Sequence, residues 1–169
     1  MRQFSLAQRS LRELKWKPNV KACTNDLEGK TLAILGLGGI GKHLAELAHA
    51  FPMRIVYHNR KRADDAPDYC EYFADVEEML GQADVLSVHV PLRKETEDLV
   101  GEKWIRALKP GVIIVNTAHG KVIGEEPMIR ALEDGHVSGL FTALDAQNVE
   151  GWAIRFLPLD WMCSQTSLM

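Results

Sequence analysis

The stretch TLAILGLGGIG, residues 31–41, constrains this chain more than any other. An apolar run ends in a glycine turn, and a helical pattern follows at once. A continuous apolar run of this kind suits a strand covered on both faces, as in a parallel sheet. Gly36, Gly38 and Gly41 have the spacing G-x-G-x-x-G. Each glycine in such a string has a mechanical task. The first permits a tight turn, the second lets the backbone approach a pyrophosphate, and the third lets the helix pack close to the strand. The helix starting at Gly39 and Ile40 then offers unpaired N–H groups and a partial positive charge to phosphate oxygens. Alone the spacing is a weak signal; between a strand and a helix it points to a dinucleotide.

The rest of the chain continues the alternation. Apolar runs predict strands over 31–35, 53–58, 84–90, 112–116 and 139–145, five in all. Helical periodicity covers 39–51, 75–80 and 125–134, with one or two helical turns inside 95–108 around Trp104, Ile105 and Leu108. Pro52 stops the first helix, Asp75 and Glu78 read as a capping box, and Gly135 closes the last helix. Residues 59–69 are basic, then acidic, and hold Pro67, which reads as a loop. Strands alternating with helices imply right-handed crossovers and an α/β, doubly wound parallel sheet, a Rossmann-like dinucleotide-binding domain. Residues 2–16 set Phe4, Ala7, Leu11 and Leu14 on one stripe, as in an amphipathic helix. The expected organisation is a connecting helix over 1–20, the dinucleotide domain over 21–146 and an irregular tail over 147–169.

Composition excludes several classes. With 169 residues, 46% hydrophobic and 25% charged, the chain has the make-up of a soluble globular domain. A net charge of −3 gives no footing for nucleic acid or an anionic membrane. No apolar stretch is long enough to span a bilayer, and no signal-peptide core opens the chain, so a cytoplasmic setting is expected. Cys23, Cys70 and Cys163 are far apart and form no CxxC, and His43, His49, His58 and His89 are scattered. No metal site is expected.

In a doubly wound sheet, ligands sit beyond the carboxyl ends of the strands. Those ends fall at 36–39, 58–62, 90–91, 116–120 and 145. The second position selects the coenzyme. An acid there holds the ribose 2′-OH of NAD, whereas arginine suits the 2′-phosphate of NADP. Here it reads His58-Asn59-Arg60-Lys61-Arg62, with no acid before Asp64. The expectation is NADP over NAD, against the plainer reading of a solvated basic loop.

The ordered strings GKTLAILGLGGIGKHLAELAHAF, MRIVYHNR, ADVLSVHVPLRKETEDLVGE, ALKPGVIIVNTAHGKVI and ALEDGHVSGL resemble the D-isomer-specific 2-hydroxyacid dehydrogenases, nearest the branch of glyoxylate and hydroxypyruvate reductases. The resemblance covers about residues 28–145. It implies a fold of two domains, of which this chain corresponds to the coenzyme domain, about half of such a protein. It also implies reduction of a small 2-keto acid by hydride from a nicotinamide, and pairing of subunits through the coenzyme domain.

The family uses an Arg to clamp the substrate carboxylate, a His as proton donor and a Glu that raises the pKa of that His. The Arg belongs to N-[TS]-A-R-G; here Asn116-Thr117-Ala118-His119-Gly120 puts His119 in its place. Glu150 has the spacing of the family Glu but different neighbours. No histidine follows His136, so the family's P-H-x-[GA] motif has no counterpart. Asp145 matches the Asp that contacts the nicotinamide carboxamide. The resemblance further assigns Gly36, Gly38, Gly39, Ile40 and Gly41 to the pyrophosphate and Asn59, Arg60 and Lys61 to the adenosine ribose. Val90, Pro91, Thr96, Thr117 and Ala118 fall to the remaining coenzyme contacts.

Two readings of the whole follow: a hydride-transferring oxidoreductase, or a dinucleotide-binding module without turnover, acting alone or as the regulatory partner of a complete enzyme. An imidazole has no bidentate fork and is largely neutral at pH 7, which favours the second.

Overall fold

The computed structural model describes residues 12–14 and 26–142. Its order is β1 (Thr31–Leu35), α1 (Gly39–His49), β2 (Arg54–His58), β3 (Cys70–Tyr72), α2 (Val76–Leu80), β4 (Val85–Val88), α3 (Glu102–Ala107), β5 (Val112–Asn116), a 3-10 turn (Gly120–Val122), α4 (Glu125–Glu133) and β6 (Val137–Thr142). The strands form one sheet in the order β3-β2-β1-β4-β5-β6, with every neighbouring pair parallel. This is the doubly wound order, and the chain reverses direction across the sheet between β1 and β4.

β1 shows why its run is apolar throughout. Leu32 and Ile34 point to one face and pack with Ala45 and Ala48 of α1 and with Ile55 and Tyr57 of β2. Ala33 and Leu35 point to the other, beside Met79, Leu80, Ile105, Met128 and Ala131 from α2, α3 and α4. All five residues of β1 are buried. At its start, Thr31 N–H donates to Asp84 Oδ2 at 2.8 Å while Asp84 N–H donates to Thr31 O at 3.0 Å, which registers β1 against the approach to β4.

Several boundaries differ from the sequence expectation. The sheet has a sixth strand, β3, inside what reads as loop and its sequel. Three residues at a sheet edge are too few to display a period of two. The segment is held by Phe73 N–H on Tyr57 O at 2.9 Å and by the Tyr57–Tyr72 ring contact. α1 ends at His49 rather than 51, because Phe51 N–H closes a tighter turn on Ala48 O. The strand expected over 84–90 pairs only from Val85 to Val88, where the backbone leaves the sheet toward Pro91, which has no N–H to give. The α2 cap is Asp75 accepting from Glu77 N–H at 2.8 Å; the reciprocal half of a capping box, through Glu78, is not formed. β6 begins at Val137, two residues before the expected 139, and residues 143–145 lie outside the described residues. So do the proposed connecting helix, except 12–14, and the tail over 147–169.

Candidate coenzyme crevice

The glycine turn is built from its neighbours inward. Gly36 has φ +101, a left-handed value that glycine adopts without strain. A Cβ there would also lie 2.9 Å from His89 O, just past the end of the neighbouring strand β4. A Cβ on Gly41 would lie 2.5 Å from Gly36 O, so α1 sits directly on the turn. Gly38 and Gly39 differ: a Cβ on either meets nothing within 4 Å. The space above them is open, as a phosphate cradle requires.

The first main-chain bond of α1 is Lys42 N–H to Gly38 O at 2.9 Å. The N–H groups of Gly39, Ile40 and Gly41 therefore precede the helical ladder. No side chain caps this end and no acid occupies its first turn. An uncapped helix start with no local carboxylate, facing open space, fits an anionic group. Ile40 is 75% exposed there.

The exits of β2 and β4 stand beside this turn, and that of β5 lies beyond β4. Gly36 N–H donates to His58 O at 3.0 Å, and Leu37 N–H donates to Asn59 Oδ1 at 2.7 Å. Arg60, Lys61 and Arg62 are exposed. Asp65, in the same loop, is ion-paired with Lys42 of α1, and that ammonium holds its carboxyl below the usual carboxylate range.

After β4, His89 is half-buried. Its N–H donates to Leu35 O at 2.8 Å, its Nε2 lies 2.8 Å from Ser87 Oγ, and burial pushes its imidazole pKa down. Val90 is half-buried against the core and Pro91 is exposed. The Thr96 hydroxyl is used within its own loop, donating to Pro91 O at 2.7 Å and accepting from Arg93 N–H at 2.7 Å.

After β5, Asn116 is wholly buried and organises the turn that follows. Its Nδ2 donates to His119 O at 2.8 Å, and its Oδ1 accepts from Ala118 N–H at 3.1 Å. Thr117 and His119 are exposed and Ala118 half-buried. Asp145 and Glu150 lie outside the described residues. Among the described residues no group of His, Cys, Asp and Glu could hold a metal, and no helix is long and apolar enough to cross a membrane.

The sheet order places the exits of β2, β1, β4 and β5 side by side. Thus the glycine residues, Asn59, His89 to Pro91 and the 117–119 turn share one edge. A separate cleft of 580 Å3 runs along the flank of α1, lined by Lys42, His43, Glu46, His49, Pro67 and Tyr69, and it shares only Gly39 with that set. Two residues at the edge escape sequence reading as functional: Asn116, which shapes the β5 turn, and Ser87, which holds His89. For Ser87 the sequence signal is a polar residue inside an apolar strand; Asn116 has that signal and also opens the Asn116-Thr117-Ala118-His119-Gly120 string.

A family model for the D-isomer specific 2-hydroxyacid dehydrogenase, NAD binding domain, matches residues 1–159. The chain belongs to this family. A putative 2-hydroxyacid dehydrogenase of Schizosaccharomyces pombe is 41% identical over 137 residues, covering 81% of this chain and 41% of that protein. A glyoxylate reductase of Thermococcus litoralis is 40% identical over 129 residues, covering 75% of this chain and 38% of that protein. The crystal structure of a glyoxylate reductase from Paecilomyes thermophila superposes with a TM-score of 0.75 at 39% identity, over 83% of this chain and 43% of that one. The chain thus spans about two fifths of the length of these relatives. What it represents of the family is the NAD-binding domain, and a nicotinamide coenzyme is the ligand its crevice fits.

Proposed function

We propose that this domain binds NADP in preference to NAD and descends from enzymes that reduce a small 2-keto acid such as glyoxylate or hydroxypyruvate. One observation carries the reading: an uncapped helix start beneath open space over Gly38 and Gly39, at the edge where four strands end. The amides of Gly39, Ile40 and Gly41 hold the diphosphate. Arg60 and Lys61 take the 2′-phosphate, with no free acid in the loop before Asp64 to repel it. Val90, Pro91, Thr96, Thr117, Ala118 and Asp145 line the rest of the coenzyme. When bound, the coenzyme supplies the hydride.

His119 favours a second feature of the reading. At the exit of β5 the family places an arginine, whose planar fork orients a carboxylate and stabilises charge developing on the keto oxygen. An imidazole has neither the reach nor the fork. We therefore propose that the chain as it stands binds coenzyme without turnover. It acts as a module, or as a regulatory partner paired with a complete enzyme through this domain in the cytoplasm. Leu47 and Phe51, 55% and 54% exposed along α1 and just after it, offer apolar surface for such pairing or for a homodimer.

Isothermal titration with NADPH and NADH, followed by coenzyme oxidation with glyoxylate and hydroxypyruvate on the same protein, tests both parts. Saturable binding, tighter for NADPH and without turnover, is the expected result. Binding of neither coenzyme overturns the reading, and steady oxidation of NADPH overturns its second part.

A further inference from the structure

Asn59 follows β2 directly, and its side chain turns back onto the glycine turn. Oδ1 accepts Leu37 N–H at 2.7 Å, and Nδ2 donates to Leu37 O at 3.4 Å. Leu37 lies between Gly36 and Gly38, where the chain has left β1 and has no strand partner for its main-chain groups. Its side chain is buried with Ile34 and Tyr57. A buried N–H without an acceptor is costly, so the Asn59 carboxamide fixes the path of the turn.

Asn59 is itself held from the other side. The Tyr72 hydroxyl of β3 donates to Asn59 O at 3.4 Å, and His58 Nδ1 lies 2.9 Å from Phe73 O. The turn, the exit of β2 and the exit of β3 are therefore tied together through one residue. A carboxamide is neutral and offers both a donor and an acceptor, so it serves the N–H and the C=O of Leu37 together. A carboxylate would serve the N–H alone and would add a negative charge where Arg60 and Lys61 begin.

We propose that Asn59 is a positioning residue for the coenzyme. It sets the glycine turn that grips the diphosphate, and its lack of charge leaves the neighbouring ribose edge open to a 2′-phosphate. This rests on the coenzyme reading above but assigns Asn59 a different task from Arg60 and Lys61, which touch the phosphate.

The test uses the full chain, isothermal titration with NADPH and with NADH, and thermal melting without ligand. Asn59→Ala removes both bonds to Leu37. Loss of a hydrogen bond of this type weakens both coenzymes alike, by about threefold to tenfold, and leaves their ratio unchanged. Asn59→Asp keeps the acceptor for Leu37 N–H and adds charge. NADPH then weakens at least about tenfold more than NADH, the effect of setting like charges together.

Wild-type affinity for both coenzymes in Asn59→Ala overturns the positioning role. Equal weakening of both in Asn59→Asp overturns the link to the 2′-phosphate. If melting shows that Asn59→Ala does not fold, Asn59→Ser, whose short hydroxyl cannot serve both groups of Leu37, takes its place in testing the positioning role with the same expected and overturning results, and Asn59→Asp still decides the link to the 2′-phosphate. A wild-type protein that binds neither coenzyme overturns the parent reading instead, so the two failures are distinct.

Discussion

One methyl group separates two kinds of glycine in the turn after β1. On Gly41 it would press into Gly36 O at 2.5 Å, a main-chain atom that cannot swing away. On Gly38 it would meet nothing within 4 Å, and the backbone there, at φ −93, is open to any residue. Gly41 is therefore required by the fold, whereas nothing in the fold requires Gly38, which the proposed reading gives to the ligand. Gly41→Ala should lower stability by about 1–3 kcal/mol, the usual cost of forcing an extra carbon into a packed site. Gly38→Ala should melt as the wild type does and lose NADPH binding, because its methyl occupies the cradle. Melting curves paired with titrations separate the two outcomes; a Gly38→Ala protein with intact affinity would place the diphosphate elsewhere. The tight turn at Gly36 and the close packing at Gly41 are readable from spacing alone, since the G-x-G-x-x-G string assigns those tasks. The work of Asn59 and Asn116 is not readable in that way. Each side chain acts on a main-chain turn whose path is fixed only once neighbouring strands have come together.

At the scale of elements, a central place in the sheet is what made strands legible. β1 and β5 are each flanked by two strands, read as apolar runs, and have the boundaries the sequence predicts. β3 lies at the edge, pairs with β2 alone, and has only Cys70 buried, so no pattern marks it. α3 is similarly short, yet it is well placed, and its anchoring can be divided between two causes. On its surface Glu102 accepts from Arg106 at 2.9 Å and from Arg130 of α4 at 2.6 Å, and Arg106 also meets Asp134 at 2.6 Å. Beneath lies Ile105, fully buried, with Leu108 and half-buried Trp104. Exposed ion pairs contribute little in water and are screened by salt. A buried isoleucine is another matter: Ile105→Ala should cost about 2–5 kcal/mol. Glu102→Gln should move the urea midpoint far less, and high salt should shrink that small difference further. A larger loss from Glu102→Gln than from Ile105→Ala would mean that charge, rather than burial, fastens α3.

Across the whole molecule, the sheet divides the domain unequally. One face is closed by α2, α3 and α4. On the other, α1 covers β1 and β2, and the register continues outward through Val85, Ser87, Ile113, Val115 and Phe141, of which only Ser87 is fully buried. Val85, Ile113 and Val115 are half-buried and Phe141 is 61% exposed. The carboxyl edge crosses both halves, so a dinucleotide laid along it as proposed touches the α1 side through its diphosphate and adenosine end and the β4–β5 side through its nicotinamide end. Such a ligand binds only when the two halves of the sheet are assembled, and it must therefore stabilise the fold as a unit. At a concentration about 100-fold above its Kd, a ligand that binds only the folded state adds roughly 2.7 kcal/mol. For a chain of this size that corresponds to a rise in melting temperature on the order of 5–10 °C. NADPH should produce this rise in a single cooperative transition. Glyoxylate alone should produce none, because the loop carrying His119 has no fork for its carboxylate. A rise confined to part of the melting curve would mean that coenzyme grips one half of the sheet only. A rise with glyoxylate alone would show an acid site that does not depend on the arginine fork.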